Sequence, residues 1–348
     1  MGLSAIMFRL GREIRLGIGV VVLCLACFVS PASAATATAL QFDGVDDRVS
    51  FGTATNLSSF TFTLETWFKR TGAGVGANTG SGGYADAVPL IAKGRGEADG
   101  DNRDMNYILA IRAADSRLVA DFEEGGAGPA PGLNHPVAGN TVITNNGWYH
   151  AAVTYDGAEW RLYLNGALET NLYVGRPVRG DSIQHASLAA ALDSTGAAAG
   201  ALAGVLDEAR IWNYARSAQE IADNYRREII SANGLIGRWG LNEGSGLTAT
   251  NSGSAVVTGT LANGPVWVVG FVFASPPTIA LTNPPTGTSL VASANVLLAA
   301  QASDADGVVT NVSFFADAAL LGSATNAPFA LSWTNPPVGA HEIGRAHV

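Results

Sequence analysis

Cysteine is nearly absent: Cys24 and Cys27 are the only two in 348 residues. Both fall in an apolar run near the N-terminus that reads as part of an export signal. Removal of that signal leaves a chain with no disulfide, no thiol nucleophile and no thiolate metal site. Charged residues are scarce, at 14%, and the formal net charge is −9. No cluster of Lys or Arg stands out. That excludes nucleic acid as a partner, because binding it takes cations that displace counterions. His135, His150, His185, His341 and His347 show no i, i+4 or short-gap pairing, which argues against a zinc site or a histidine triad. No Gly-x-Ser-x-Gly stands between a strand and a helix.

Glycine, by contrast, is abundant (42 residues) and proline frequent (14). That composition suits short strands joined by many turns. The N-terminus has its own pattern. Arg9, Arg12 and Arg15 precede a charge-free apolar run over 16–29, and Ala32-Ser33-Ala34 follows. This is the order of a signal peptide, residues 1–34. The run is shorter than the roughly 20 apolar residues of a membrane span. The expectation is an exported protein, extracellular or at the cell surface, with no span after cleavage. A lipoprotein is the alternative, since Cys27 follows Leu25-Ala26, but Cys24 sits where a lipobox takes Leu.

From Leu40 the pattern is period two. FTFTLETWFK (60–69) alternates apolar residues with Thr. In WYHAAVTYDGAEWRLYLNGALETNLYV (148–174), Asp156-Gly157 and Asn165-Gly166 are hairpin dipeptides, because both residue types reach positive φ cheaply. They predict antiparallel strands at 148–155, 159–164 and 167–174. VLDEARIW (205–212) predicts another. Ser217 with Glu220 forms a capping box, and Ile221 and Tyr225 share a face, which predicts a helix over 218–228. Residues 71–88 and 94–104 are loops dense in Gly, Asp and Asn, and 125–140 is a third; binding functions concentrate on such loops. Residues 273–277, containing Ser275-Pro276-Pro277, read as a stiff linker. Residues 278–342 then have the strand spacing of a small β-sandwich, with turns at Asp306-Gly307 and Asp317. About five strands are visible where such a sandwich has about seven. The final 343–348 matches translated sequencing-adapter read-through, so these residues are expected to be an artefact on a fragment.

ALQFDGVDDRVSFG, FTLETWFKR, WYHAAVTYDGAEWRLYLNG and GVLDEARIWNYARSAQEI follow one another in that order. Together with GLIGRWGLNEGSG they resemble the LamG-like jelly-roll domains of the concanavalin A-like lectin/glucanase superfamily. The tail from Pro277 resembles a bacterial Ig-like domain. The resemblance implies an all-β chain: a two-sheet antiparallel jelly-roll sandwich over 36–272, with six or seven strands per sheet, followed by a partial Ig-like β-sandwich. It also implies a binding module for carbohydrate or a surface partner, with the Ig-like part as spacer and no catalysis. Two alternatives stand beside it. One is an enzyme: an accessory region of a truncated extracellular glycan-degrading enzyme, or a jelly roll that is itself a diverged glycan hydrolase. The other is a purely architectural surface protein.

Two readings compete at Asp43, Asp46 and Asp47. Asp43-Gly44 is a turn dipeptide, and the next aspartates can bond local backbone before a strand at 48–52. The resemblance instead implies one structural calcium between the N-terminal strand region and a late strand, for which Asp43 and Asp207 are the candidate ligands. Calcium takes six to eight oxygens. The cluster at 99–104 (DGDNRD) lacks the Gly and Glu of an EF-hand and reads as a solvated loop. Asp121 and Glu123 would share a strand face about 6.5 Å apart, a spacing seen in retaining glycosidases. They lack the E-x-D-x-E pattern of laminarinase-type enzymes and read as a solvent face. Trp67, Trp148, Trp160 and Trp212 fall in strands and read as core. Tyr84 and Tyr107 flank the long loops; they suit sugar contact better, though core or framework is the favoured role for each.

Overall fold

The computed structural model describes residues 19–23, 37–273, 277–285, 287–291, 294–304 and 308–347. It divides into two compact units: Ser33–Phe273, and Ala274–Val348 together with Met1–Ala32. Both cysteines, residues 32–34, most of the linker, Asp306-Gly307 and Val348 lie outside the described residues.

The larger unit is a sandwich of two antiparallel eight-stranded sheets. The first runs Ala167–Tyr173, Glu159–Leu164, Trp148–Tyr155, Phe62–Arg70, Ala203–Trp212, Thr38–Asp43 and Val266–Val269, with Leu235–Trp239 also paired to Ala203–Trp212. The second runs Thr248–Ala249, Gly259–Ala262, Arg48–Ser50, Ala186–Leu188, Ala87–Lys93, Tyr107–Arg112, Arg117–Asp121 and Val137–Val142. Alternation builds the core. Phe62, Leu64 and Phe68 point inward from one sheet; Tyr107, Leu109 and Ile111 point inward from the other. Trp160 is fully buried between them, against Phe62, Tyr155 and Phe122.

Both hairpins form as the dipeptides predict, with Gly157 at φ 96° and Asn165 at φ 51°. The helix is shorter than expected, Ala218–Asn224, and opens with the capping box on Ser217 and Glu220. It seats Ile221 against Ala152 and Tyr163 on the outside of the first sheet. That side is the helix face. The stretch 125–140 is only partly a loop, because Val137–Val142 adds the edge strand of the second sheet. The loops at 71–86 and 94–104 fold over the outside of the second sheet. Ala77 of the first loop and Met105, directly after the second, pack on Ile108, Ala110 and Val119. That side is the loop face.

The smaller unit has a core of Val296, Leu298, Val312, Phe314, Phe329 and Ile343. One sheet pairs Thr278–Asn283, Val296–Ser303 and Phe329–Trp333. The other runs Thr288–Val291, Gly19–Leu23, Ala340–His347, Val312–Ala316 and Ala319–Ala324. Gly19–Leu23 comes from the apolar run of the expected signal. It pairs antiparallel with Thr288–Val291 and parallel with Ala340–His347. Cleavage after Ala34 would remove that strand. Asp317 turns the Val312–Ala316/Ala319–Ala324 hairpin at φ 48°.

Candidate functional site

The opening aspartates behave as turn residues. The Asp43 carboxylate accepts the Val45 N–H (2.8 Å) and the Asp46 N–H (3.4 Å). Asp47 accepts the Asp43 N–H at 3.0 Å. Burial, and then the charges of Asp43 and Asp46, raise the Asp47 pKa despite that bond. The three carboxylates lie within 4.8 Å of one another, and Asp43 and Asp46 are exposed.

Asp207 is elsewhere. Asp43 pairs with Ala203, whereas Asp207 stands four residues further along the same strand, opposite Trp67 on its other side. At about 3.3 Å per residue the two positions are about 13 Å apart. One ion cannot be ligated by both side chains. Asp207 is fully buried, and one oxygen accepts the Phe271 N–H at 2.8 Å. Burial pushes its pKa up to about 8. It ties the end of the Val266–Val269 region to the helix face.

Asp121 and Glu123 do share a face, but it is not a solvent face. Both are fully buried. The loops at 77–84 and 94–104 and the segment near Asn134 lie over them. One oxygen of Asp121 accepts from Thr79 Oγ1 (2.6 Å) and Asn134 Nδ2 (3.3 Å). Asn134 Nδ2 also donates to the Thr79 carbonyl (2.8 Å), so Asp121 pins the covering loop. Burial pushes Asp121 up to about 8, against the lowering effect of those bonds. Glycine permits the close cover: a Cβ on Gly83 would sit 2.4 Å from Asp121 Oδ2, and one on Gly96 would sit 2.6 Å from the Gly80 nitrogen. Glu123 accepts from Arg179 Nη2 (3.1 Å) and the Gly100 N–H (3.3 Å). Its other neighbour is Asp104, also fully buried.

Above these acids the two loops enclose an open cleft of about 370 Å³, lined by Asn78, Gly80, Ser81, Gly96, Glu97 and Asp99. Asn78, Ser81, Glu97 and Asp99 are exposed. Ser81 donates to Asp99. Burial alone would raise the pKa of Glu97, but the bonds it accepts from Ser194 and Gln184 together outweigh that and hold it below its ordinary value. The cleft offers hydroxyl, amide and carboxylate groups at one mouth. It suits a polyhydroxylated ligand better than an apolar one.

The aromatic expectations divide. Tyr107 is buried, its hydroxyl donating to the Leu57 carbonyl (2.7 Å), so it is core. Tyr84 is half-buried beneath the Arg112 guanidinium. Trp67 and Trp212 pack on the helix face instead of the core between the sheets, Trp67 stacked on Phe271 and Trp212 under Arg216.

The helix face holds a second buried polar group, absent from the sequence expectations. Glu65 accepts from Trp212 Nε1 (2.7 Å), Arg216 Nη1 (2.9 Å) and Arg210 Nη1 (3.3 Å), with His150 at 3.4 Å. Glu208 pairs with Arg210 (2.9 Å) and with Arg238. A glutamate inside the apolar strand FTLETWF, with Arg in LDEARIW, is the signal that could have revealed it.

Two family models match the chain. One describes the concanavalin A-like lectin/glucanases superfamily and matches residues 43–222; the other describes a bacterial Ig domain and matches 277–344. No curated protein matches. Among solved structures, a candidate carbohydrate binding protein from Bacteroides ovatus is similar at 17% identity and TM-score 0.47. The match covers 67% of this chain and 60% of that one, so this chain spans about three fifths of that protein's length. The heptameric SAP-like pentraxin of Limulus polyphemus is similar at 13% identity and TM-score 0.44, over 70% of this chain and all of that one. The CBM40 of Ruminococcus gnavus IT-sialidase, bound to α2,3-sialyllactose, is similar at 13% identity and TM-score 0.39, over 53% of this chain and 95% of that one.

Proposed function

The chain belongs to the concanavalin A-like lectin/glucanases superfamily through residues 43–222, and from that premise we propose that the jelly roll is an exported glycan-binding module that works without catalysis. The observation that carries this reading is the loop-face cleft. Four exposed polar side chains, Asn78, Ser81, Glu97 and Asp99, converge on one opening of about 370 Å³. Sugar hydroxyls donate to carboxylates such as Glu97 and Asp99 and can both donate to and accept from an amide or hydroxyl such as Asn78 or Ser81. The two loops that the sequence marks out as long and Gly-rich build it. The Ig-like unit is a spacer.

The test is retention of the full chain on a panel of immobilised polysaccharides. Wild type is expected to be retarded by at least one of them. The double variant Asn78→Ala/Asp99→Asn is expected to migrate freely while keeping the wild-type melting temperature. No retention on any glycan would favour the purely architectural reading. Mass spectrometry of the exported protein checks the compartment: the mature chain is expected to begin at Ala35.

A further inference from the structure

The loop-face cleft carries charge of one sign. Its lining, Asn78, Gly80, Ser81, Gly96, Glu97 and Asp99, contains two carboxylates and no Lys, Arg or His. The nearby arginines are spent elsewhere. Arg95 lays its guanidinium on Asp193 (2.5 Å) and the Gly96 carbonyl (3.2 Å). Arg103 lies on Asp101 (2.7 Å), and the buried Arg179 on Glu123 (3.1 Å). Among the described residues, neither Glu97 nor Asp99 has a basic group within ion-pair distance. Their partners are neutral donors. Glu97 accepts from Ser194 Oγ (2.7 Å), the Ser194 N–H (2.8 Å) and Gln184 Nε2 (2.9 Å), and Asp99 accepts from the Ser81 hydroxyl. Such bonds hold a negative charge in place without cancelling it.

Hydrogen-bonding capacity is uneven in the same sense. The Asn78 side-chain oxygen is committed to the Gly80 N–H (2.9 Å). Asn134, next to Gly80, is only 3% exposed. Its Nδ2 donates to the Thr79 carbonyl (2.8 Å) and to Asp121 (3.3 Å), which fixes the orientation of the amide. Its Oδ1 is left without a donor. That oxygen faces the cleft's Gly80, where a Cβ would lie 2.4 Å from it. The cleft thus combines two uncompensated negative charges with an acceptor that lacks a donor. An ammonium group brings one positive charge and three N–H donors; a carboxylate brings neither. A Lys side chain also offers an ammonium, but on a four-carbon stem, and the lining has no apolar side chain to cover a stem. An amino sugar surrounds its ammonium with hydroxyls, which Asn78 and Ser81 can meet.

We propose that the cleft selects glycans with free amino groups, taking a protonated sugar amine at Glu97 and Asp99 and repelling uronic acids. This rests on the glycan-binding reading above and names the class of glycan.

The experiment measures calorimetric binding of the full chain to three tetrasaccharides: β1,4-linked glucosamine, the same chain fully N-acetylated, and galacturonic acid. It is run at pH 6, where the amine is protonated, and in EDTA, so that no metal bridges protein and sugar. Acetylation removes the charge and keeps the ring. Wild type is expected to bind the amino form at least about tenfold tighter than the acetylated form. That margin is expected to shrink as salt rises, and the uronic form is expected to stay unbound. Asp99→Asn is expected to bring the ratio of the first two affinities close to one. Asp43→Asn removes an exposed carboxylate outside the cleft and is expected to leave the ratio unchanged. Equal or tighter binding of the acetylated or uronic form overturns the proposal and leaves the glycan reading standing. So does a preference that survives Asp99→Asn, because bulk attraction of a chain of net charge −9 for any cation would then explain it. Tetralysine that binds as tightly as the amino sugar, and is released by Asp99→Asn, assigns the cleft to basic peptides and overturns the proposal too. Binding of none of the three saccharides sinks the proposal and the glycan reading together. The wild-type ratio decides by itself if a variant fails to fold.

Discussion

The two outer faces of the jelly roll bury carboxylates equally well and treat them in opposite ways. On the helix face, burial alone would raise Glu65, but Arg210, His150 and Arg216 outweigh it and hold the carboxyl well below the usual range. On the loop face, Asp121, Glu123 and Asp104 are all pushed up, with burial the largest cause. The difference is one of cations. Arg210, Arg216 and Arg238 serve Glu65 and Glu208. Among the described residues, Arg179 is the one ion-pair partner of Asp104, Asp121 and Glu123, and it reaches Glu123. A matched buried network fixes structure; an unmatched one keeps capacity for a proton, a metal or a ligand.

The largest effect comes from unmatching the helix face. Arg210→Met removes a guanidinium shared by Glu65 and Glu208 and leaves both carboxylates underpaired in the interior. Breaking a buried pair from one side costs about 3–5 kcal/mol. Urea denaturation of the variant is expected to show a loss in that range. A loss near that of an exposed substitution would mean that the network is dispensable.

The second prediction concerns pH. Asp121 has its folded pKa at about 8, above its ordinary value of 3.8. The folded state therefore holds a proton that the unfolded state has released between those values. Stability from this group is fully present below pH 4 and is lost as pH rises through 8. Wild type is expected to lose stability steadily across that window from this group. Asp121→Asn is expected to flatten the slope, as read from urea midpoints at pH 5 and pH 8.5. Glu65 works in the other direction: its depressed pKa gives stability that persists until the pH falls well below 4.

The sheets were legible because their signals are local. Asp156-Gly157 and Asn165-Gly166 fix two hairpins by backbone conformation alone, and Ser217 with Glu220 fixes the helix start. Burial of Asp121 and Glu123 was not legible, because nothing within LVADFEEGG encodes what lies over it. The cover is a polar, Gly-rich loop from 40 residues upstream, and polar loops ordinarily face water. Only the glycines hinted at it: Gly80, Gly83 and Gly96 let backbone approach where a Cβ would collide. The same limit hid the partners of Glu65, which come from Arg210 and Arg216, about 150 residues away.

The third effect is smaller and purely local. Ser217→Ala removes the oxygen that accepts the Glu220 N–H (3.2 Å) and receives nothing in exchange. A lost N-cap costs about 1 kcal/mol. The helix covers Ala152 and Tyr163 through Ile221, so thermal melting is expected to drop by a few degrees, without change in glycan retention.

The smallest effect sharpens the contrast most. Asp43 is an acid in a cluster, as Asp104 is, but it is exposed and its Oδ1 is already occupied by two backbone N–H groups. Asn supplies the same carbonyl acceptor to Val45 and Asp46 and tolerates the turn equally well. Asp43→Asn is therefore expected to change stability by less than about 0.5 kcal/mol. The change should be the same in calcium and in EDTA. A calcium-dependent difference would give Asp43 a ligand role at the exposed turn. Clustering would then matter more than burial. Equality would mean that three carboxylates within reach of one another make no site while their oxygens are spent on the backbone.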